Sequence, residues 1–473
     1  MSASIIRQSQ SQAFLSVDIG TSSLKAAFID FKGCLLAFSR AAYPMGAYAG
    51  DWKYAFSRAL ENLCAQVPDC GIEAVCISGN GPTLVPVGKK GEAMRPLYWY
   101  DSETVSPETA FSVEGTLSLF LPHVDRFKRS SPNEYEKTAF FLSSHEWLSF
   151  KLGADPYISL PQSAYEPYYW DDGQCGLYGL DGGKFPPFVE MGSIVGKVSV
   201  QAARSFGPVS GLKSGTPIVS GAPDFISALI GTRTMEEGDV CDRAGSSEGI
   251  NYCASERPVV PKAEGERTRG GHAGGNGLRV LPHVRERLWN IGTVIPSSGS
   301  LFEQYRSHTG QENRFYEDLL AELITLSPFF YDSSTAPDAA LPPPPLPTPY
   351  SIPDQGRSVL CAIGFAVRSA IEVMWALGFQ VKQMRVSGGQ GKSPLWNQMK
   401  ADMTGVSLII PEICDGELAG NAVLAAVALG AAPGIEEAAG RMIRFGEVYK
   451  PNPEAFSLWE EKYWQYKGVG SGE

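Results

Sequence analysis

The sequence predicts an α/β protein made of two α/β halves. Short strand-like runs alternate with stretches whose apolar residues recur at helical spacing, and this succession occurs twice along the chain. The chain has 473 residues, 43% of them hydrophobic and 19% charged, which suits two or three globular domains. We place the first domain at residues 13–230 and the second at 231–455.

Each half contains its own strands and helices. The first half has strand-like runs at FLSVDIG, SLKAAFID, AVCISGN and TPIVSGAPD, with helix-like stretches such as WKYAFSRALENLCAQ between them. The second half has the strand-like runs GDVCDRAGSSEG and MRVSGGQG, a helix from about Cys361 to Phe379 and a small-residue helix after Gly416. The proline density of residues 327–356 predicts a surface loop, and the glycine-rich residues 265–277 predict a second mobile segment.

Composition and charge exclude several classes of partner. A formal net charge of −11 argues against nucleic acid or an anionic membrane, because both need a basic protein surface. No run of 18 apolar residues predicts a membrane span, and the N-terminus lacks the apolar region of a signal peptide. The nine cysteines form no Cys-x-x-Cys pair, which predicts reduced thiols in a cytoplasmic protein, and histidine spacing predicts no zinc site.

The stretch VDIGTSS places an acid at the end of an apolar strand. An unpaired carboxylate beside a core is costly, so Asp18 requires a cation or hydrogen-bond donors. The amides of Gly20, Thr21 and Ser22 in a tight turn could hold phosphate oxygens, and Asp18 could hold Mg²⁺ through water. A polar hairpin with a capped turn explains the same stretch equally well.

A second glycine-and-hydroxyl turn follows a strand of the second half. DRAGSSEG opens with Asp242 and presents Gly245, Ser246 and Ser247. Two such loops, one from each half, could hold one triphosphate across a cleft. A Gly-Ser turn is, however, most often only a turn.

The stretch RVSGGQGKSPLWNQMKAD contains G-Q-G-K-S but is not a P-loop. A P-loop requires glycine five residues before its second glycine, and Val386 occupies that position. Gly388 and Gly389 instead follow a strand, where the missing side chain would let backbone approach a purine ring. A strand-to-helix turn with Pro394 opening the helix is the alternative.

Three further polar residues follow predicted strands. Asp224, in TPIVSGAPDFISALIG, is predicted to begin a helix, where it could be a general base for a hydroxyl or only a stabilising acid at the helix start. Asn80 and Asp101, the latter beside Trp99 and Tyr100, suit a polyhydroxyl ligand, because they offer hydrogen bonds beside aromatic faces. Ordinary surface polar residues are the alternative at both positions.

Taken in order, these stretches resemble the FGGY carbohydrate kinases over roughly residues 13–450. The resemblance implies two ribonuclease H-like domains of the actin-like ATPase fold that flank a cleft. It implies that VDIGTSS and AGSSEG are the two phosphate loops, that GAPD carries a catalytic aspartate and that SGGQGKSPLWNQMKAD is the adenosine segment. The residues that it implies for nucleotide are Gly20, Thr21, Ser22, Gly245, Ser246, Gly388, Gly389 and Asn397. Those that it implies for substrate are Asn80, Gly81, Asp101 and Asp224.

The chain departs from the family pattern at several positions. Gly81 and Pro82 stand where xylulokinases carry Met-His, and Ser246 replaces a threonine. Glu248 replaces a glycine, which would place an acid close to phosphate unless its side chain turns away. The arginine expected two residues after Asp101 is absent, and the G-E-R-x-P segment has no counterpart.

The resulting prediction is an ATP-dependent, xylulokinase-like carbohydrate kinase that transfers the γ-phosphate of ATP to a hydroxyl of a small sugar or polyol. Asp224 would accept the proton, Asp18 would orient Mg²⁺, and the resemblance makes a homodimer possible. One alternative is a catalytically weak relative that binds sugar or nucleotide as a sensor or scaffold. Another is an actin-like filament or chaperone ATPase.

Overall fold

The protein folds around two large β-sheets in a computed structural model that describes residues 11–99, 101, 116–206, 211–258, 278–325 and 351–467. Its strands are β1 (Gln12–Ile19), β2 (Ser23–Ile29), β3 (Leu35–Ala42), β4 (Gly71–Gly79), β5 (Leu84–Gly88), β6 (Thr138–Ser143), β7 (Ile158–Leu160), β8 (Phe188–Glu190), β9 (Ile194–Lys197), β10 (Pro217–Val219), β11 (Val240–Ala244), β12 (Glu248–Ala254), β13 (Arg279–Pro282), β14 (Trp289–Gly292), β15 (Gln383–Ser387), β16 (Ser407–Pro411) and β17 (Phe445–Tyr449). Its helices are α1 (Ala49–Gln66), α2 (Leu121–Ser130), α3 (Pro132–Lys137), α4 (Ser144–Leu152), α5 (Glu166–Tyr169), α6 (Asp172–Leu177), α7 (Val200–Ser205), α8 (Asp224–Gly231), α9 (Gly299–His308), α10 (Tyr316–Thr325), α11 (Ile352–Ala376), α12 (Pro394–Thr404), α13 (Gly416–Ala428), α14 (Ile435–Met442) and α15 (Pro453–Tyr466).

The two large sheets share one pattern of strand pairing around a central strand. The first runs β3-β2-β1-β4-β10-β9, and the second runs β13-β14-β12-β11-β15-β16-β17. In each, a central strand has an antiparallel neighbour on one side and a parallel neighbour on the other: β2 and β4 beside β1, and β12 and β15 beside β11. We call the part of the molecule around each sheet a lobe. This duplicated α/β arrangement is the predicted fold class.

Apolar packing explains why these segments form strands and helices. Strand β1 is buried along nearly its whole length because helices cover both faces of its sheet, and α1 packs its apolar face on β2 and β3. Helix α11 lies between two apolar clusters of the second lobe, one against the sheet and one beneath α9, α10 and α15. Burial of these faces removes apolar surface from water, which is the main favourable term in folding.

Helices α8 and α13 cross at very short distance between the lobes. A Cβ added to Gly231 would lie 1.9 Å from the Gly416 carbonyl oxygen, and one added to Gly420 would lie 2.0 Å from the Ser227 carbonyl oxygen. Although α13 follows β16 in sequence, Leu418 and its apolar neighbours join the core of the first lobe. The predicted domain boundary between residues 230 and 231 therefore describes only the order of the halves along the chain, and it stays a prediction, since α13 of the second half packs in the first lobe.

The start of α11 corrects the extent of the predicted proline-rich loop. Residues 352–356 are helical, because Pro353 lies in the first turn, where its missing N–H costs nothing, and Ser351 forms a capping box with Asp354. The helix predicted from about Cys361 accordingly begins nine residues earlier, at Ile352. Residues 326–350 and the predicted mobile segment 265–277 lie outside the described residues.

One described helix, α11, is long and apolar enough to cross a membrane by length and composition. Of its most apolar window, 67% is buried inside the structure, which is typical of the core helix of a globular domain. The test is therefore weak evidence for a span.

Candidate active site

Asp18 lies where β1 ends, between the parallel strand β4 and helix α13. Its side chain is buried and accepts a 2.9 Å hydrogen bond from the Ser78 hydroxyl. Asn421 of α13 donates to the Ser78 hydroxyl at 3.0 Å and to the Val17 carbonyl at 2.8 Å. Burial, and secondarily the negative charge of Glu417, raise the pKa of Asp18 well above its ordinary value.

The first hydroxyl loop, residues 20–22, is a tight turn between β1 and β2. The Gly20 amide donates to the Ser23 carbonyl at 3.0 Å, and the Tyr43 hydroxyl donates to the Gly20 carbonyl at 2.6 Å. The predicted set of amides for phosphate is therefore smaller than the sequence indicated, because the turn itself uses the Gly20 amide. Thr21 and Ser22 are half-buried at the turn, and their phosphate contacts stay a prediction.

Asp224 is the first residue of α8, as its position after a buried strand predicted. A parallel bridge between Gly79 and Pro223 brings it beside the end of β4, near Asp18. Its side chain keeps 29% of its surface exposed and accepts a 2.6 Å hydrogen bond from its neighbour's amide. Burial raises the pKa of Asp224, whereas the nearby Arg243 lowers it.

The carboxylates of Asp18, Asp224 and Glu417 give this site a local excess of negative charge. Asp224 and Glu417 each raise the pKa of Asp18, and the buried Oε2 of Glu417 has no hydrogen-bond partner within the part of the chain that the structure describes. In the described ranges no group of three acidic, histidine or cysteine side chains is close enough to hold a metal directly. The excess of carboxylate charge is the feature of the site that suits a hydrated Mg²⁺ ion, because magnesium usually keeps several waters and binds through one or two carboxylates and phosphate oxygens.

Lys25 is the cation nearest to this set of acids. Its Nζ lies 3.0 Å from Asp415 Oδ1 and 3.8 Å from Glu417 Oε2, and Lys392 binds the other oxygen of Asp415 at 2.7 Å. Although burial opposes the charged form, Glu417 and Asp415 raise the pKa of Lys25. This ionic cluster links the first hairpin to the start of α13.

The second hydroxyl loop, residues 245–247, follows β11 and lies against the start of α9. The carbonyls of Gly245 and Ser246 accept hydrogen bonds of 3.0–3.2 Å from the first amides of α9, and Gln390 donates to the Gly245 carbonyl at 3.2 Å. The Gly245 amide donates to the Ser247 carbonyl at 3.1 Å, so the turn also uses it. The phosphate roles of Gly245 and Ser246 stay predictions.

Glu248 turns away from the loop and into the core of the second lobe. The Lys400 Nζ lies 2.6 Å from Glu248 Oε1 and 2.9 Å from Asp242 Oδ2, and all three side chains are buried. Burial opposes the charge of Glu248, but the charge of Lys400 and the hydrogen bonds of Asp242, Lys400 and Ser298 together outweigh it and lower the pKa of Glu248. Burial and the neighbouring Glu248 raise the pKa of Asp242 to about 8. The acid that replaces the family's glycine is thus neutralised rather than directed at phosphate.

The predicted adenosine segment lies beside the second hydroxyl loop. A Cβ added to Gly388, which has φ +102°, would lie 2.5 Å from the Ala244 carbonyl oxygen. Gly388 therefore makes room for protein backbone rather than for a purine, which corrects the reason expected for this glycine. Gly389 borders open space, and the buried Asn397 donates to the Gly391 carbonyl at 2.8 Å, which fixes the turn.

The predicted substrate residues divide into two groups. Asn80 is buried near Ser144, and its Nδ2 has no hydrogen-bond partner among the described residues, so a donor is available there. Gly81 lies against Pro223. Asp101 instead accepts a 2.9 Å hydrogen bond from the Tyr98 amide and lies 3.6 Å from Arg95. Tyr100 and residues 102–115, which include the position of the expected arginine, lie outside the described residues.

Sequence reasoning missed four polar residues of the site. Lys25, Arg243, Glu417 and Asn421 were not predicted. The signal for Arg243 was available, because a charged residue at the end of an apolar strand is the same feature that identified Asp18. No local signal distinguishes Asn421, since its contacts with β1 and β4 arise from the packing of α13.

The duplicated sheets, with the acids and hydroxyl loops between them, form a two-lobed fold of the actin-like ATPase type. Residues 330–429 match the FGGY family of carbohydrate kinases, C-terminal domain. The chain is 22% identical to a probable L-xylulose kinase of Haemophilus influenzae, over 96% of this chain and 97% of that protein. It is 21% identical to an autoinducer-2 kinase of Salmonella choleraesuis, over 96% and 93%.

Solved structures agree with this fold. A gluconate kinase from Lactobacillus acidophilus superposes with a TM-score of 0.75 at 16% identity, covering 97% of both chains. A Plasmodium falciparum glycerol kinase with ADP superposes with a TM-score of 0.70 at 13% identity, covering 97% of this chain and 98% of that one. The chain is thus similar to the FGGY carbohydrate kinases over nearly its whole length, and these comparisons support a carbohydrate kinase.

Proposed function

We propose that this enzyme transfers the γ-phosphate of ATP to a hydroxyl of a small sugar or polyol, in the manner of a xylulose kinase. The observation that carries the proposal is the position of Asp224. It begins α8 beside the end of β4, partly exposed, with Arg243 of the other lobe 4.0 Å away. Relatives named xylulose, L-xylulose and autoinducer-2 kinases support this acceptor class without selecting among its members.

Asp224 would act as the general base. Burial raises its pKa, which makes the carboxylate a better proton acceptor, and Arg243 opposes part of that rise by favouring the ionised form. The proton of the attacking hydroxyl would pass to Asp224 as the new oxygen–phosphorus bond forms and ADP leaves. Correct positioning of the hydroxyl and the phosphate would supply most of the rate enhancement.

The loops and Asp18 would hold the nucleotide. Thr21 and Ser22 from one lobe and Gly245 and Ser246 from the other would bind phosphate oxygens. The adenine ring of the nucleotide would lie beside Gly389. When bound, Mg²⁺ would neutralise charge on these oxygens, and Asp18 would orient it through water. A cytoplasmic location and a homodimer stay predictions.

A coupled assay of ADP release tests the proposal. Pentuloses, hexuloses, pentitols, glycerol and sugar acids would each be supplied with ATP and Mg²⁺, and mass spectrometry would identify the product. We expect acceptor-dependent ADP release with a phosphorylated product. ATP binding by calorimetry without phosphorylation of any acceptor would favour the sensor or scaffold instead.

A further inference from the structure

One face of the second sheet, beside Asp224, carries two arginines. Arg243 of β11 and Arg279 of β13 flank Asn251 and Asn290 on this face, which we call the arginine face. Arg243 Nε donates to Asn251 Oδ1 at 3.0 Å, and Asn251 Nδ2 donates to Asn290 Oδ1 at 3.0 Å. These hydrogen bonds join three strands of the sheet into one polar surface.

Glycines leave space on the arginine face. In the strand pairing Gly249 is opposite Arg243, and Gly292 is opposite both Asn251 and Arg279. A Cβ added to Gly249 would lie 2.8 Å from Arg243 Nη2, and one added to Gly292 would lie 3.0 Å from Asn251 Nδ2. The long polar side chains therefore lie flat over positions that no other side chain fills.

The positive charge of this face is poorly compensated. The one carboxylate at ion-pairing distance from Arg243 in the described ranges is Asp224, at 4.0 Å. Arg279 has no ion pair in the same ranges, and its Nε is buried without a hydrogen-bond partner. Burial, and secondarily Arg243, lower the pKa of Arg279. Arg279 is half-buried, and burying one of its guanidinium nitrogens without a partner is costly, so this arrangement favours an anionic ligand.

We propose that the arginine face binds an anionic group of the acceptor, and that the acceptor is therefore a polyhydroxy carboxylate, a sugar acid. This inference rests on the proposed function, since it assigns the acceptor class of the same site. The planar guanidinium group matches a carboxylate with two parallel hydrogen bonds, which a neutral sugar cannot reproduce. Arg243 joins the face to Asp224, so one extended molecule can present its carboxylate to Arg279 and a hydroxyl to the base.

Equilibrium binding tests this inference independently of turnover. Calorimetry with Mg²⁺ and a non-hydrolysable ATP analogue would compare pentonates and hexonates with the alditols of the same chain length and configuration. We expect the aldonates to bind at least about 10-fold more tightly, because a hydrogen bond to a charged group contributes about 1.5–3 kcal/mol.

Two variants and one control locate the effect. Arg279→Met should reduce the preference for aldonate over alditol by about 10- to 100-fold, while alditol affinity stays the same. Arg279→Lys should recover part of it, because the charge remains but the planar fork is lost. Arg287→Met, which removes an exposed arginine from the loop after β13, should leave the preference unchanged.

Each outcome decides the inference. If only sugar phosphates show a preference that depends on Arg279, the anionic site stands and its ligand is a phosphate. Equal binding of aldonate and alditol, a preference that Arg279→Met leaves intact, or no binding of any anionic sugar would overturn it. Aldonate that binds through Arg279 but is never phosphorylated would count against the proposed function and leave the site in place.

Discussion

Asp18 and Asp242 occupy equivalent places in the two lobes. Each lies near the end of a central strand, with an antiparallel neighbour on one side and a parallel neighbour on the other. Each precedes a turn of glycine and hydroxyl residues, and each is buried. From the sequence alone, the two aspartates and the turns that follow them resemble two copies of one phosphate-binding loop.

Their surroundings differ in the source of the compensating charge. Lys400 of the same lobe neutralises Asp242 and Glu248 at direct hydrogen-bonding distance. Asp18 accepts a hydrogen bond from the Ser78 hydroxyl and lies near two other acids. The nearby cation, Lys25, is paired with Asp415 and Glu417 instead. A buried acid that a lysine neutralises is satisfied within the protein, whereas one left among other acids is suited to bind a cation.

Replacing the proposed base should have the largest effect. Asp224→Asn should lower kcat by about 10²–10⁴, because the amide cannot accept the hydroxyl proton. Its thermal unfolding midpoint should change little, since the residue is partly exposed. Asp172→Asn, which alters another acid at the first position of a helix, is the control and should retain full turnover. Normal kcat in Asp224→Asn would end its assignment as base.

Removing Lys400 tests the structural half of the comparison. Lys400→Met should lower the free energy of unfolding by about 3–5 kcal/mol, because it leaves Glu248 charged and buried without its partner. Denaturant unfolding measures the change. The double variant Glu248→Gln with Lys400→Met should recover much of the stability, and a double variant as unstable as Lys400→Met would contradict this account.

The two aspartates can be compared directly. Asp18→Asn should reduce activity by about 10- to 100-fold and raise the Mg²⁺ concentration needed for half-maximal rate, as loss of an outer-sphere metal partner usually does. Asp242→Asn should leave activity nearly unchanged, because Asp242 is buried against Lys400 in the core of the second lobe. Equal losses in the two variants would remove the distinction between the lobes.

The pH dependence of kcat/KM should show the smallest effect. Asp224 must be deprotonated to act, so activity should fall as the pH drops through its raised pKa, above the ordinary carboxyl value of about 3.9. Arg243→Met should shift this fall in activity, the acidic limb of the pH profile, to higher pH, because the arginine favours the ionised form of Asp224. Arg287→Met should not move it, and an unshifted limb in Arg243→Met would show that Arg243 does not act on the base.

Much of the site was predictable because its signals are local. Asp18 interrupts an apolar strand, and Asp224 stands between a buried strand and an apolar helix, so each was identified from its immediate neighbours. The position of Glu248 could not be resolved in the same way. Its partner Lys400 lies 152 residues further along the chain, in a helix with no unusual local feature.

The sequence by itself determined the two α/β halves, the strand-end acids and the hydroxyl turns, because hydrophobic periodicity and turn chemistry act over a few residues. The tertiary structure alone decided which buried acid is neutralised, how α13 joins the first lobe and where the arginines meet Asp224. Those outcomes depend on charges and backbones that the fold brings together from separate elements, where electrostatic free energy is set by distance and burial and not by order in the sequence.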